Sequence, residues 1–96
     1  MDSPKDWQLC KVNGDQWNGM FHRPTGTYFK VDGNTAWVIA QREPMYARCE
    51  RKLAKYAVRR FWSGELSGAK GVHIPGNLEP YRVTRVVLPR LHGPLM

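Results

Sequence analysis

The chain has 96 residues, of which 42% are hydrophobic and 24% are charged, and this length and composition are typical of one soluble globular domain. Its four Trp, four Tyr and three Phe exclude the class of disordered proteins, which are poor in aromatic residues, and no apolar run reaches the roughly 18 residues that a membrane span needs. Fifteen Lys and Arg against eight Asp and Glu leave a net charge of +7, which favours an acidic partner.

Short β-strands are predicted in the N-terminal half, because runs rich in β-branched and aromatic residues are separated by turns that contain Gly, Pro or Asn. The predicted strands are Trp7–Val12, Gly19–Arg23, Thr27–Val31 and Thr35–Ala40. Asp32-Gly33 is the strongest hairpin signal, because both residue types tolerate positive φ. We therefore predict an antiparallel meander of three or four strands.

One α-helix is predicted over about residues 44–63. Pro44 suits the first helical position, where its missing N–H costs nothing, and good helix formers fill the chain up to Gly64. A last strand is predicted at Tyr81–Leu88, a segment rich in β-branched residues that ends at Pro89. The predicted fold class is α+β, with a small antiparallel sheet packed against one amphipathic helix.

We predict a single domain over residues 1–96, with a loose C-terminal tail over about residues 89–96. The N-terminus lacks the apolar run of a secretory signal. Cys10 and Cys49 form no C-x-x-C pair and do not indicate a disulfide-stapled scaffold. A cytoplasmic location with free thiols and no membrane association is the resulting expectation, and the sequence predicts no oligomeric state.

Most of the basic residues of the predicted helix fall on one side of it. At about 100° per residue, five of them lie within roughly 100° of one another. These five are Arg48, Arg51, Lys52, Lys55 and Arg59. The opposite side carries an apolar stripe formed by Tyr46, Cys49, Leu53, Ala57 and Phe61. Glu50 is the single acid within the helix body, so the cations lack the i,i+4 Glu–Lys partners that stabilise a solvated helix.

This segregation favours a binding surface for phosphates. Like charges at i,i+4 cost a few tenths of a kcal/mol, and a bound phosphate backbone would offset that cost. The alternative is an ordinary solvated face, because Lys and Arg are good helix formers and their stems can cover apolar surface. The candidate extensions of the surface are Arg23, Lys30, Arg82 and Arg85, although charges on an edge strand also serve to prevent aggregation.

Aromatic residues interleaved with basic ones form a second candidate feature. Phe21 and Arg23 share one side of their predicted strand, and Tyr28 and Lys30 share one side of theirs. If the strand register aligned these pairs with Trp37, one sheet face would carry stacking rings beside cations, as in proteins that bind single-stranded nucleic acid. For Phe29 and Trp37 themselves we expect positions in the core.

No catalytic constellation or metal site is predicted, and no cofactor is expected. The three His residues do not have the spacing of zinc ligands. A further hypothesis is a small basic ribonuclease that uses His22 and His73 as acid and base, and it rests only on two residues that are distant in the sequence. Cys49 lies on the apolar stripe, where a buried hydrophobe is more common than a nucleophile.

Three hypotheses follow in order of preference. The first is a small non-enzymatic protein that binds DNA or RNA, mainly through backbone phosphates, as a phage- or plasmid-type accessory protein would. The second is an adaptor or inhibitor that docks on an acidic surface of a partner, such as a nucleic-acid-handling enzyme. The third is the ribonuclease.

Overall fold

A computed structural model describes residues 3–12, 14–41, 50–64, 72–73 and 79–89 of the chain. After a 3-10 turn at Pro4–Asp6, the elements in chain order are β1 (Trp7–Lys11), β2 (Gly19–His22), β3 (Thr27–Asp32), β4 (Thr35–Gln41), α1 (Glu50–Ser63), β5 (Val72–His73) and β6 (Tyr81–Val87). The predicted helix over residues 44–63 is thus described from Glu50 onward, and its first part lies outside the described residues. The predicted tail beyond Pro89 lies outside them as well.

The strands form one sheet in the order β5-β1-β2-β3-β4-β6. All neighbours are antiparallel except β5, which runs parallel to β1. The predicted fold class, an antiparallel sheet packed against one helix, is confirmed. The sequence did not predict β5, because a strand of two residues is too short to produce a period-2 pattern.

The β3–β4 hairpin has its turn one residue later than predicted. Asp32 pairs with Thr35, so the two turn residues are Gly33 and Asn34 and not Asp32 and Gly33. Gly33 has φ +60, a left-handed conformation that glycine adopts without strain. The Asn34 side chain donates a hydrogen bond of 2.7 Å to the carbonyl oxygen of Leu88, which ties this turn to the end of β6.

One sheet face packs against α1 and forms the main core. Phe29 and Val38 on this face are fully buried, and so are Ala54, Ala57 and Val58 of the helix. The small Ala side chains let the helix pack closely on the sheet. This packing buries the apolar stripe that a lone helix would expose to water. Leu53 and Phe61 of the predicted stripe are partly buried against the same core, whereas Tyr46 and Cys49 lie outside the described residues.

The start of β2 requires glycine because the backbone of β3 lies directly beside it. A Cβ added at Gly19 would lie 2.5 Å from the carbonyl oxygen of Phe29 and 3.1 Å from Cys10 Sγ. Cys10 itself is fully buried, and burial raises the pKa of its thiol to about 12. The Cys10 thiol is therefore protonated at neutral pH, where only the thiolate would act as a nucleophile.

No helix in the described part of the chain combines the length and the apolar character needed to cross a membrane.

Candidate nucleic-acid interface

The exposed side of α1 carries a cluster of cations. Its members are Arg51, Lys52, Lys55 and Arg59, all of which are exposed, and they are called the helix basic face below. Ala54, Ala57 and Val58 are buried against the sheet, so the cations project away from the sheet. At 1.5 Å per residue, the distance along the helix axis from residue 51 to residue 59 is about 12 Å. Arg48, the fifth predicted member, lies outside the described residues.

The helix basic face has no internal counter-charge in the part of the chain that the structure describes. An ion pair joins Glu50 to Arg82, and none of the described carboxylates lies within ion-pair distance of Arg51, Lys52, Lys55 or Arg59. Glu50 is buried on the sheet side of the helix. Glu50, the acid of α1, therefore does not neutralise the four cations.

Arg82 has a structural partner, whereas the cations of the helix basic face have no carboxylate partner among the described side chains. It pairs with Ala40 in the sheet, which places it on the side that faces α1. Its Nη1 donates hydrogen bonds to Glu50 Oε1 and Oε2 at 2.8 and 2.5 Å, and the two side chains are 31% and 10% exposed. Arg82 therefore links β6 to the first turn of the described helix. This pair was not predictable from the sequence, because the two residues are 32 positions apart.

We expect Arg82→Ala to destabilise the protein by about 1–3 kcal/mol. The change leaves the Glu50 carboxylate nearly buried without its cation, and the partial exposure of Arg82 keeps the cost below that of a fully buried pair. Arg85→Ala is the matched control, because it removes the same residue type from the exposed face of the same strand. Urea unfolding of both variants measures the difference. Equal stability of the two would show that the Glu50–Arg82 pair does not support the fold.

The other predicted extensions do not continue the helix basic face. Phe29 and Val38 face the helix, and Lys30 and Arg85 pair with Trp37 between them. Because successive strand residues point to opposite faces, Lys30 and Arg85 lie on the side of the sheet away from α1, called the outer face below. Arg23 lies in the β2–β3 turn, where its Nη1 donates a hydrogen bond of 3.4 Å to the carbonyl oxygen of Lys5.

The outer face brings together the aromatic residues that the sequence singled out. Phe21 pairs with Tyr28, and their ring centroids are 4.6 Å apart. Trp37 is 36% exposed on this face, so the expectation that it belongs to the core is wrong, whereas Phe29 is fully buried as expected. Strand β4 is apolar on both faces, from Ala36 to Ala40. Because its sequence shows no alternation of apolar and polar residues, the face that carries Trp37 could not be predicted.

His22, one of the two proposed catalytic imidazoles, is a buried residue. Its ring centroid lies 4.5 Å from that of Trp7, its Nδ1 lies within hydrogen-bond distance of Thr25 Oγ1 at 2.9 Å, and only 8% of it is exposed. The His73 side chain lies outside the described ones. No group of three His, Cys, Asp or Glu side chains with metal-binding geometry occurs among the residues that the structure describes.

Comparisons of the chain with family models, curated proteins and solved structures find no match. Its function must therefore be inferred from its own residues.

Proposed function

We propose that this protein is a non-enzymatic nucleic-acid-binding protein, and that the helix basic face contacts backbone phosphates. The observation that carries the proposal is the set of four exposed cations, Arg51, Lys52, Lys55 and Arg59, that have no internal carboxylate partner among the described residues. Glu50 could have balanced them but is held on the other side of the helix by Arg82.

The size of the helix basic face matches a nucleic-acid backbone. Duplex DNA carries one phosphate per strand for each 3.4 Å along its axis, so a row of cations about 12 Å long is comparable in length to the axial rise of three to four base pairs. Lys and Arg contacts of this kind hold the backbone but carry no information about base sequence. The proposed binding is therefore largely independent of sequence.

The cost of arranging like charges on one helix supports a binding role over simple solvation. Arg51 and Lys55, and Lys55 and Arg59, are spaced four residues apart, and each such like-charge pair destabilises a helix by a few tenths of a kcal/mol. A bound polyanion offsets the repulsion that remains after screening by water and ions. The +7 net charge of the chain also attracts a polyanion from a distance.

A second candidate function is docking on an acidic protein surface, as an adaptor or inhibitor. The observation that favours it is Trp62, which is 49% exposed and follows Arg59 by three residues on the helix. Its Nε1 donates a hydrogen bond of 2.9 Å to the carbonyl oxygen of Gly33, so the ring is held in place. Exposed Trp beside Arg is a common composition of protein–protein interfaces.

Purification at low ionic strength distinguishes the two functions. If the protein binds nucleic acid, it should copurify with material that absorbs at 260 nm and that disappears after nuclease treatment and a high-salt wash. If it docks on a protein, a stoichiometric partner should survive both treatments. A preparation free of nucleic acid that also fails to bind DNA and RNA, single- or double-stranded, in a titration at low salt would refute the nucleic-acid proposal.

A further inference from the structure

Three side chains of the outer face form one row across three neighbouring strands. Lys30 on β3 pairs with Trp37 on β4, and Trp37 pairs with Arg85 on β6. Directly opposite residues in such a sheet have Cβ atoms about 5 Å apart. The guanidinium carbon of Arg85 lies 5.6 Å from the centroid of the Trp37 ring, and 36% of Trp37 is exposed. The partly exposed indole ring therefore has the Arg85 guanidinium over it and Lys30 at the paired position on the other neighbouring strand.

Packed side chains support this row from the neighbouring positions of the outer face. Tyr28 and Ile39, which pair with each other, are 8% and 2% exposed. On the edge strand β6, Val83 and Val87 are 51% and 49% exposed on the two sides of Arg85. Trp37 thus lies between buried apolar positions towards Ile39 and exposed Val side chains on β6.

We infer that the outer face is a second binding site, whose ligand is single-stranded nucleic acid. An unpaired base stacks on the part of the Trp37 ring that Arg85 leaves exposed, and Lys30 and Arg85 bind the phosphates on either side of it. A ring next to a backbone-binding cation is the arrangement by which proteins hold single strands without reading their sequence. A duplex cannot use this site, because its bases are already stacked on one another.

An acidic residue on the outer face limits the proposed site on the side of the β3–β4 turn. Asp32 is exposed on β3, two residues beyond Lys30, and pairs with Thr35 next to the β3–β4 turn. A carboxylate at this position repels phosphate. The bound nucleic-acid strand therefore crosses the sheet along the row of Lys30, Trp37 and Arg85 and does not continue towards the β3–β4 turn.

This site is separate from the helix basic face. The helix packs on the side of the sheet that carries Phe29 and Val38, and the row of Lys30, Trp37 and Arg85 lies on the other side. Its ligand contacts depend on none of the helix cations. The two proposals can consequently fail independently of each other.

The test uses single strands of eight nucleotides, oligo(dT) and oligo(U), and an abasic strand of the same length. Fluorescence anisotropy measures their binding to the whole protein with the substitutions Lys52→Glu and Lys55→Glu, which weaken the helix basic face. In this background we expect Trp37→Ala to weaken binding of the base-containing strands about 5- to 150-fold, with little effect on the abasic strand. Comparing the affinities for oligo(dT) and oligo(U) shows whether the site prefers DNA or RNA.

Trp17→Ala is the matched control. Trp17 is 43% exposed with Lys11 Nζ 4.4 Å from its ring centroid, but it lies in the β1–β2 loop, and its removal should leave binding unchanged. Trp37→Phe, which keeps a stacking ring, should retain most of the affinity. The inference is overturned if Trp37→Ala weakens the abasic strand equally, if a duplex of the same length competes as well as the single strand, or if the outer face binds only acidic peptides.

Discussion

Raising the salt concentration from 50 to 200 mM is expected to weaken binding to duplex DNA about 500-fold. Each phosphate that a Lys or Arg neutralises releases condensed counterions, so the logarithm of the binding constant falls with the logarithm of the salt concentration by about 0.9 per contact. Contacts by Arg48 and the four residues of the helix basic face give a slope of about −4.5. Anisotropy titrations at four or more salt concentrations measure it directly.

The value of the slope also reports on Arg48, which lies outside the described residues. Without its contact the slope becomes about −3.6, and the same change in salt weakens binding only about 150-fold. Arg48→Ala should change the salt slope from about −4.5 to about −3.6. A binding constant that does not respond to salt would exclude phosphate contacts as the source of affinity and would end the proposal that the helix binds a polyanion.

Reversing two charges of the helix basic face is expected to reduce affinity for duplex DNA by about 200-fold at 50 mM salt. Lys52→Glu together with Lys55→Glu removes two phosphate contacts, and the salt slope should fall in magnitude to about 2.7. Both side chains are exposed, so the fold should be unaffected, which thermal unfolding of the variant can verify. The new carboxylates also repel phosphate, and for this reason the estimate is a lower limit.

Two control variants separate the position of these charges from their number. Lys52→Arg with Lys55→Arg keeps the charge pattern and should bind normally. Lys5→Glu with Lys11→Glu changes the net charge by the same amount, but on the 3-10 turn and β1, and should weaken binding far less. If this second pair weakened binding as much as the helix pair, affinity would follow total charge, and the helix would not be the interface.

The local features of the fold were predictable because each depends on neighbouring residues. Runs rich in β-branched and aromatic residues, separated by Gly-containing turns, marked β1 to β4, and the 3.6-residue period separated Arg51, Lys52, Lys55 and Arg59 from Ala57. The one-residue error at the β3–β4 turn has the same local origin. Asp-Gly and Gly-Asn are both acceptable turn pairs, and the choice of Gly33-Asn34 is accompanied by a hydrogen bond from Asn34 to Leu88.

The placement of the remaining candidate cations was not predictable, because it depends on residues far apart in the chain. Arg82 and Arg85 are three positions apart on one strand, yet Arg82 faces α1 and binds Glu50 whereas Arg85 lies over Trp37. A lone strand with a basic residue on each face does not reveal which face the helix will cover. That depends on β6 pairing with β4 at one register, and a shift of one residue would exchange the two faces.

The sequence by itself therefore determined that this protein has a sheet, one amphipathic helix and a basic side to that helix, because helix and strand periods act over a few residues. Only the tertiary structure decided which cations have internal partners and which lie together. The pairing of β3, β4 and β6 places Lys30, Trp37 and Arg85 in one row, and the packing of α1 on the opposite face separates them from the helix cations. Strand register and layer packing are long-range choices, made by the burial of the whole core.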